Sequence, residues 1–142
     1  MRRRLCLLLL TALLPAGAAA DNAQRAKMSY MLYCQGCHLP DGRGAPGAVP
    51  PMKDFVGNFL KVEGGRAFIA SVPGVLNAPM DDERVAEVMN WMLREMSAAQ
   101  LPEDFSPYTA EEMAAYRKAP LLAVKERRAE LIGRMAELGI EE

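Results

Sequence analysis

The chain has 142 residues, with 17 Lys and Arg against 18 Asp and Glu and a formal net charge of −1 at pH 7. This length suits one small domain. A near-neutral balance argues against binding to nucleic acid, which needs clustered basic residues for affinity.

The first 20 residues have the form of a secretory signal peptide. Arg2, Arg3 and Arg4 precede an apolar run over residues 5–14, and small residues ending at Ala20 follow. The apolar run is far shorter than the roughly 20 residues that span a bilayer as a helix. We therefore expect export, cleavage after about Ala20 and no membrane span in the mature chain.

Residues 21–97 are predicted to form an all-α domain. Helices are predicted over residues 23–34, 53–60, 65–72 and 82–96. Prolines and glycines predict a long loop over 39–52, and Pro73-Gly74 is expected to end the third helix. Asp81 is a plausible N-cap for the fourth helix, because its side chain can accept from the first free amides.

Residues 98–142 are predicted to form a helical C-terminal extension. Thr109 and Glu112 fit a capping box, and a second helix after Pro120 is expected to run to Leu138, with Gly139 as its C-cap. The apolar face of this second helix is formed by Leu121, Val124, Leu131, Ile132, Met135 and Leu138. From the sequence, residues 109–138 either cover the core of the domain or dock a partner or a second copy.

The stretch YCQGCHLPDGRG, at residues 33–44, holds two cysteines and the only histidine. A nucleotide loop is disfavoured because the glycine pattern follows a helix and includes Pro46. A thioredoxin-like pair lacks its βαβ context, and a zinc site lacks a fourth ligand. A plain disulfide between Cys34 and Cys37 is the simplest remaining alternative.

The pattern C-x-x-C-H, at Cys34, Cys37 and His38, is typical of c-type haem attachment. Two thiols one helical turn apart can meet two vinyl groups on one edge of the macrocycle, and the next residue can reach the iron. Covalent attachment of this kind is completed outside the cytoplasm in bacteria. The predicted export therefore agrees with the motif.

Two stretches, YMLYCQGCHLPDGRGAPGAVPPM and ASVPGVLNAPMDDERVAEVMNWMLREM, make the chain resemble a small monohaem class I cytochrome c of the bacterial periplasm. The resemblance covers residues 24–96. It implies the cytochrome c fold, with three to five helices around one covalently bound haem, and a periplasmic location. The aromatic residues of the domain are expected to line the haem pocket or the crossing of the two terminal helices.

The resemblance also implies a set of iron ligands. His38 matches the proximal ligand, and a backbone carbonyl of Pro46 or Pro50 would orient its ring. Met80 lies where the family has its axial methionine, although almost no spacer separates it from the following helix. Met52 is a weaker rival for that role.

The implied function is one-electron carriage, because His/Met ligation stabilises ferrous iron and no acid, base or nucleophile surrounds it. We therefore expect a carrier and not an enzyme, reduced by a redox enzyme such as a dehydrogenase and oxidised by an oxidase or another cytochrome. One alternative is a subunit stably bound to a dehydrogenase. If Met80 is not a ligand, a five-coordinate haem that binds a small gas is another. Arg66 or Lys61 is a candidate to neutralise a haem propionate.

Overall fold

The computed structural model describes residues 17–142, with side chains from residue 22 onward. Its α-helices are α1 Gly17–Tyr33, α2 Gln35–His38, α3 Gly65–Ala70, α4 Pro73–Leu76, α5 Asp82–Met96, α6 Ala110–Arg117 and α7 Val124–Glu137. Two 3-10 helices, Val56–Lys61 and Ala98–Gln100, complete the regular elements of this range. The only extended pairing described is an isolated bridge between Ala45 and Val49. The all-α prediction is confirmed.

Most of the predicted signal peptide, including its arginines and its apolar run, lies outside the described residues. Helix α1 begins at Gly17 and therefore passes through the predicted cleavage site at Ala20. Among residues 17–142, no helix combines the length and the hydropathy needed to cross a membrane.

Helix α5 has the bounds that the sequence predicts. The Asp81 side chain accepts from the Arg84 amide at 2.8 Å, which caps the helix, and Asp82 and Glu83 place negative charge at the positive end of the helix dipole. Its apolar stripe is buried: Val85, Val88, Met89, Met92, Leu93 and Met96.

Helices α1 and α5 cross and form the main helix contact of the domain. Ala26, Ser29 and Tyr30 face this crossing and are buried, and the rings of Tyr30 and Trp91 lie 5.4 Å apart. The Arg84 guanidinium donates to the Ser29 hydroxyl at 2.6 Å. The crossing of the two terminal helices of the domain is therefore present.

Two local predictions differ from the structure. Pro73 does not end a helical region but begins α4, because proline fits the first turn of a helix, where its missing N–H is not needed. The helix predicted over 53–60 is a 3-10 helix that begins at Val56.

The extension is attached to the domain by side-chain and backbone hydrogen bonds. The Asn90 side chain accepts from the Tyr108 amide at 2.7 Å and donates to the Tyr108 carbonyl at 2.9 Å. Both bonds of the capping box at Thr109 and Glu112 are present, so α6 begins where the sequence predicts. The buried side chain of Met113 then fixes α6 in the common core.

The apolar face of α7 packs on the chain's own core. Leu131 and Met135 are fully buried, and Leu121, Val124 and Ile132 are half-buried against the same core. Leu138 is the exception, with 60% of its surface exposed. Of the two roles left open by the sequence, covering the core is the one that this face performs within the described chain.

Truncation of Leu131 tests this covering role. Leu131→Ala should lower the free energy of unfolding by about 3 kcal/mol, since a fully buried leucine leaves a cavity when truncated. Leu138→Ala is the matched control and should cost no more than about 0.5 kcal/mol, because its side chain is exposed. Denaturant unfolding of the haem-loaded protein measures both. Equal small losses would contradict the covering role.

The Arg66–Glu112 pair generates a prediction about pH. The guanidinium donates to both Glu112 carboxylate oxygens at 2.8 and 2.7 Å, which lowers the pKa of Glu112 below its usual value. The carboxylate therefore stabilises the fold above the usual glutamate pKa, and this contribution disappears as the pH falls through the lowered pKa.

Glu112→Gln should accordingly cost about 1 kcal/mol at pH 7, a magnitude discounted for the partial exposure of the pair. The difference from the unmodified protein should shrink toward zero as the pH is lowered below about 4. Glu111→Gln removes a negative charge from an exposed position in the same turn and is the control. If Glu112→Gln lowers the free energy of unfolding by the same amount over this pH range, the ionised Glu112 carboxylate does not stabilise the fold through Arg66.

Candidate haem site

The C-x-x-C-H stretch lies where α1 passes into α2. The Cys34 amide donates to the Tyr30 carbonyl at 2.9 Å, and the His38 amide donates to the Cys34 carbonyl at 3.0 Å, so the motif follows one helical turn. Cys34 is half-buried, Cys37 is exposed, and no disulfide joins them. Burial raises the pKa of the Cys34 thiol. The disulfide considered from the sequence is not formed.

An apolar cavity of about 500 Å³ lies against this turn. Both cysteines and His38 line it, together with side chains from α3, α4, α5 and the loop over 39–52. Its aromatic lining consists of Tyr30, Tyr33, Phe59 and Phe68. A concave, mostly apolar cavity with a few convergent polar groups is the usual form of a cofactor site.

The other two aromatic residues predicted for this region pack outside the cavity. Trp91 is at the α1–α5 crossing, as described above. Phe55 is buried and meets Phe59 edge to face, with ring centroids 5.9 Å apart. Trp91 therefore packs at the helix crossing, which is one of the two predicted locations. Phe55 contacts Phe59, which lines the cavity, from the side away from the cavity.

The environment of His38 fits an imidazole that binds another group. Its Nδ1 atom is buried and has no hydrogen-bond partner among the described residues. Burial also lowers the pKa of the ring, so that the neutral form is favoured. A buried ring nitrogen without a partner is costly, and the cost is removed if the ring binds a metal and its second nitrogen finds an acceptor.

The backbone around His38 is held by the glycine- and proline-rich loop. The Gly44 amide donates to the His38 carbonyl at 3.1 Å, and Ala45 and Val49 exchange hydrogen bonds of 2.9 and 2.8 Å. Pro50 lines the cavity, whereas Pro46 is not among the lining residues. Of the two prolines left open by the sequence, Pro50 is therefore the one near the site.

Four methionines line the cavity: Met52, Met80, Met89 and Met92. Met89 and Met92 belong to the buried stripe of α5, as expected for core residues. Met52 and Met80 are half-buried and lie in irregular segments. The structure thus brings Met80 to the cavity of His38, and it brings the rival Met52 there as well.

Helix α7 contributes two lining residues whose place at the cavity the sequence does not predict, Val124 and Arg128. Their spacing of four puts them on one face of α7, but no local signal indicates what that face covers. Arg128 is the only Lys or Arg among the described lining residues, and it donates to the Glu142 carboxylate at 3.0 Å.

The two basic residues suggested as propionate partners are engaged elsewhere. Arg66 binds Glu112 and the carbonyls of Ser106 and Pro107, and Lys61 donates to Asn58 at 2.9 Å. Neither basic side chain lines the cavity. Among the described residues, Arg128 is therefore the candidate propionate partner that lies at the cavity.

An all-α chain with C-x-x-C-H and several methionines around one apolar cavity has the features of a haem protein, and comparison with known proteins gives the same class. No protein-family model matches the chain. A protein named cytochrome c-552 from one strain of Thermus thermophilus is 33% identical over 131 residues, which cover 80% of this chain and 87% of the relative. Another protein named cytochrome c-552, also from Thermus thermophilus, is 33% identical over 106 residues, which cover 62% of this chain and 81% of the relative.

The chain belongs to the c-type cytochromes, and its cofactor is a covalently bound haem c with its iron. Residues 1–97 make up about two thirds of the chain, so a match over 80% of it must reach into the extension. The extension is thus shared, at least in part, with that relative.

Gly44 offers a test of the loop beside His38. Its backbone has a φ of +66°, and a Cβ there would overlap the Val49 carbonyl oxygen and lie 2.8 Å from that of Pro50. Gly44→Ala should cost about 3 kcal/mol of unfolding free energy, from backbone strain and overlap together.

Gly47→Ala is the matched control, because Gly47 has a similar φ of +75° and open space around its Cβ position. It should cost only about 1 kcal/mol, the strain alone. Denaturant unfolding of the two haem-loaded variants measures the difference. Equal losses would mean that the close approach of Gly44 to the Val49 and Pro50 carbonyls does not matter for stability.

Proposed function

We propose that this cytochrome is a periplasmic one-electron carrier in which Cys34 and Cys37 bind the haem covalently and His38 and Met80 are the axial ligands of its iron. The observation that carries the proposal is that His38 and Met80, distant in sequence, line the same apolar cavity as the two thiols. The carrier domain comprises residues 21–97, and the extension packs on it.

Contacts of the loop over 39–52 favour Met80 over Met52. The Met52 amide donates to the Gly42 carbonyl at 2.7 Å, in the same loop whose Gly44 amide binds the His38 carbonyl. Met52 is therefore part of the segment that supports His38. Met80 comes from a separate segment, between α4 and α5, and is free of that supporting role.

The surrounding residues provide for the rest of the site. We assign the Pro50 carbonyl as the acceptor for His38 and Arg128 as the partner of a propionate, since each lies at the cavity. A carbonyl acceptor fixes the ring and raises its basicity. Arg128 would then exchange its contact with Glu142 for a carboxylate of the cofactor.

Haem iron, when bound, supplies a one-electron couple. Apolar walls around the site exclude water and favour the less charged state, which raises the reduction potential. The neutral form of His38 is favoured by the same burial. The only histidine of the chain is used as a ligand and is therefore not assigned a catalytic role.

Exchange of electrons with partners is proposed to occur where the site meets the surface. Cys37 is exposed, and Tyr33, which lines the cavity, is 47% exposed, so this corner of the site is accessible to another protein. The proposed partners are a donor such as a dehydrogenase and an oxidase or second cytochrome as acceptor. Export to the periplasm, with removal of residues 1–20, would bring the chain into the same compartment as these partners.

The axial assignment predicts the effect of Met80→Ala. The ferric protein should show a weak far-red charge-transfer band from methionine to iron. Met80→Ala should lose this band completely, become high-spin and bind carbon monoxide rapidly when reduced. Met52→Ala, which removes the other half-buried methionine at the cavity, is the control and should keep the band.

Absorption spectra of both oxidation states and a potentiometric titration provide the measurements. Retention of the band in Met80→Ala would overturn the assignment of Met80. An unmodified protein that lacks the band and binds carbon monoxide rapidly would favour the gas-binding alternative over the carrier.

A further inference from the structure

The segment that carries Met80 has few hydrogen bonds of its own. It joins α4 to α5 through residues 77–81, and Pro79 has no N–H to donate. The Met80 amide donates to the Ala78 carbonyl at 2.8 Å, and the Ala78 amide donates to the Val75 carbonyl at 3.3 Å. A segment of this kind opens locally at low cost unless other parts of the chain restrain it.

Such a restraint comes from Arg117, the last residue of α6 in the extension. Its Nη2 atom donates to the Ala78 carbonyl at 3.1 Å, and its Nη1 atom lies 3.1 Å from Oδ1 of Asp82. The second contact is an ion pair without aligned hydrogen-bond geometry. One guanidinium therefore holds the backbone two residues before Met80 and the side chain two residues after it.

Arg117 is partly buried and is carried by a helix that is itself fixed in the fold. Its side chain is 26% exposed and that of Asp82 is 34% exposed, so the contact is partly shielded from water. Helix α6 is capped at its start and fixed by the buried Met113, and the preceding Tyr108 is bound to Asn90 of α5. The restraint on the Met80 segment thus passes through the extension to the helix that this segment leads into.

We propose that Arg117 is a positioning residue for Met80 and that the extension thereby keeps the sixth coordination site closed to external ligands. The inference depends on the proposed function, since it requires Met80 to be the axial ligand. Arginine suits the role because its extended, charged guanidinium can donate to the Ala78 carbonyl and pair with the Asp82 carboxylate at the same time. An external ligand can bind the iron only when the Met80 segment moves away. The apparent affinity of that ligand therefore depends on the fraction of molecules in which the segment is open.

Imidazole titration of the ferric haem-loaded protein tests the proposal. Arg117→Gln should raise the imidazole affinity by about tenfold, which corresponds to the loss of a charge-assisted hydrogen bond. Arg117→Lys keeps the charge but not the contact with both groups, so it should give a smaller rise of about threefold. This second variant keeps the test possible if Arg117→Gln fails to fold. Amide hydrogen exchange over residues 77–82 should be faster in both variants.

Arg134→Gln is the matched control. Arg134 also donates to a backbone carbonyl, that of Glu63 at 3.2 Å, and also pairs with a carboxylate, that of Glu130, but it does so away from the Met80 segment. Its substitution should leave imidazole affinity unchanged. A rise equal to that of Arg117→Gln would mean that the effect is general loosening and would overturn the proposal.

The Met80→Ala background separates this inference from the proposed function. If Arg117 acts through Met80, adding Arg117→Gln to Met80→Ala should cause no further rise in imidazole affinity. Retention of the far-red band in Met80→Ala would overturn the axial assignment and this inference with it. Loss of that band together with an unchanged imidazole affinity in Arg117→Gln would overturn the inference alone.

Discussion

The contact on which the rest of the structure depends is made by the buried side chain of Tyr30. Its ring packs against Trp91 at the crossing of α1 and α5, and its hydroxyl donates to the Leu39 carbonyl at 2.6 Å. Burial raises the pKa of this hydroxyl to about 12, so it remains a donor at any ordinary pH. Leu39 has a φ of +68°, an unfavourable value for leucine, and here the chain leaves the C-x-x-C-H turn for the loop. The helix crossing and the conformation of the haem-binding turn are therefore held by one residue.

The extension belongs to the same packing arrangement. Tyr108 links it to α5, Leu131 and Met135 fill the core, and Val124 and Arg128 reach the cavity. A domain of about 80 residues with a long irregular loop has a small core, and additional buried side chains compensate for it. Because the extension supplies these side chains, we regard it as part of the packing around the cofactor site.

Local signals in the sequence predict several parts of the structure well. The bounds of α5, its cap at Asp81 and the capping box of α6 depend on residues three or four positions apart, so short-range chemistry is sufficient to predict them. The C-x-x-C-H pattern is local in the same sense and indicates the cofactor. The helix α4, which begins at Pro73, was not predicted, because proline both ends helices and begins them, and only the following backbone decides which.

Contacts between distant residues depend on the tertiary structure and have no local signal. The sequence did not distinguish Pro46 from Pro50 as the acceptor for His38. It suggested Arg66 or Lys61 as the propionate partner, whereas the basic residue at the cavity is Arg128. The apolar face of α7 was visible as a pattern, but its burial against the domain was not, since an amphipathic pattern shows that a face will be covered without showing by what. The contact of Arg117 with both ends of the Met80 segment likewise joins residues about 40 positions apart. The sequence alone thus indicates a covalently bound haem on an all-α domain, whereas the packing of the extension decides which side chains surround the haem site.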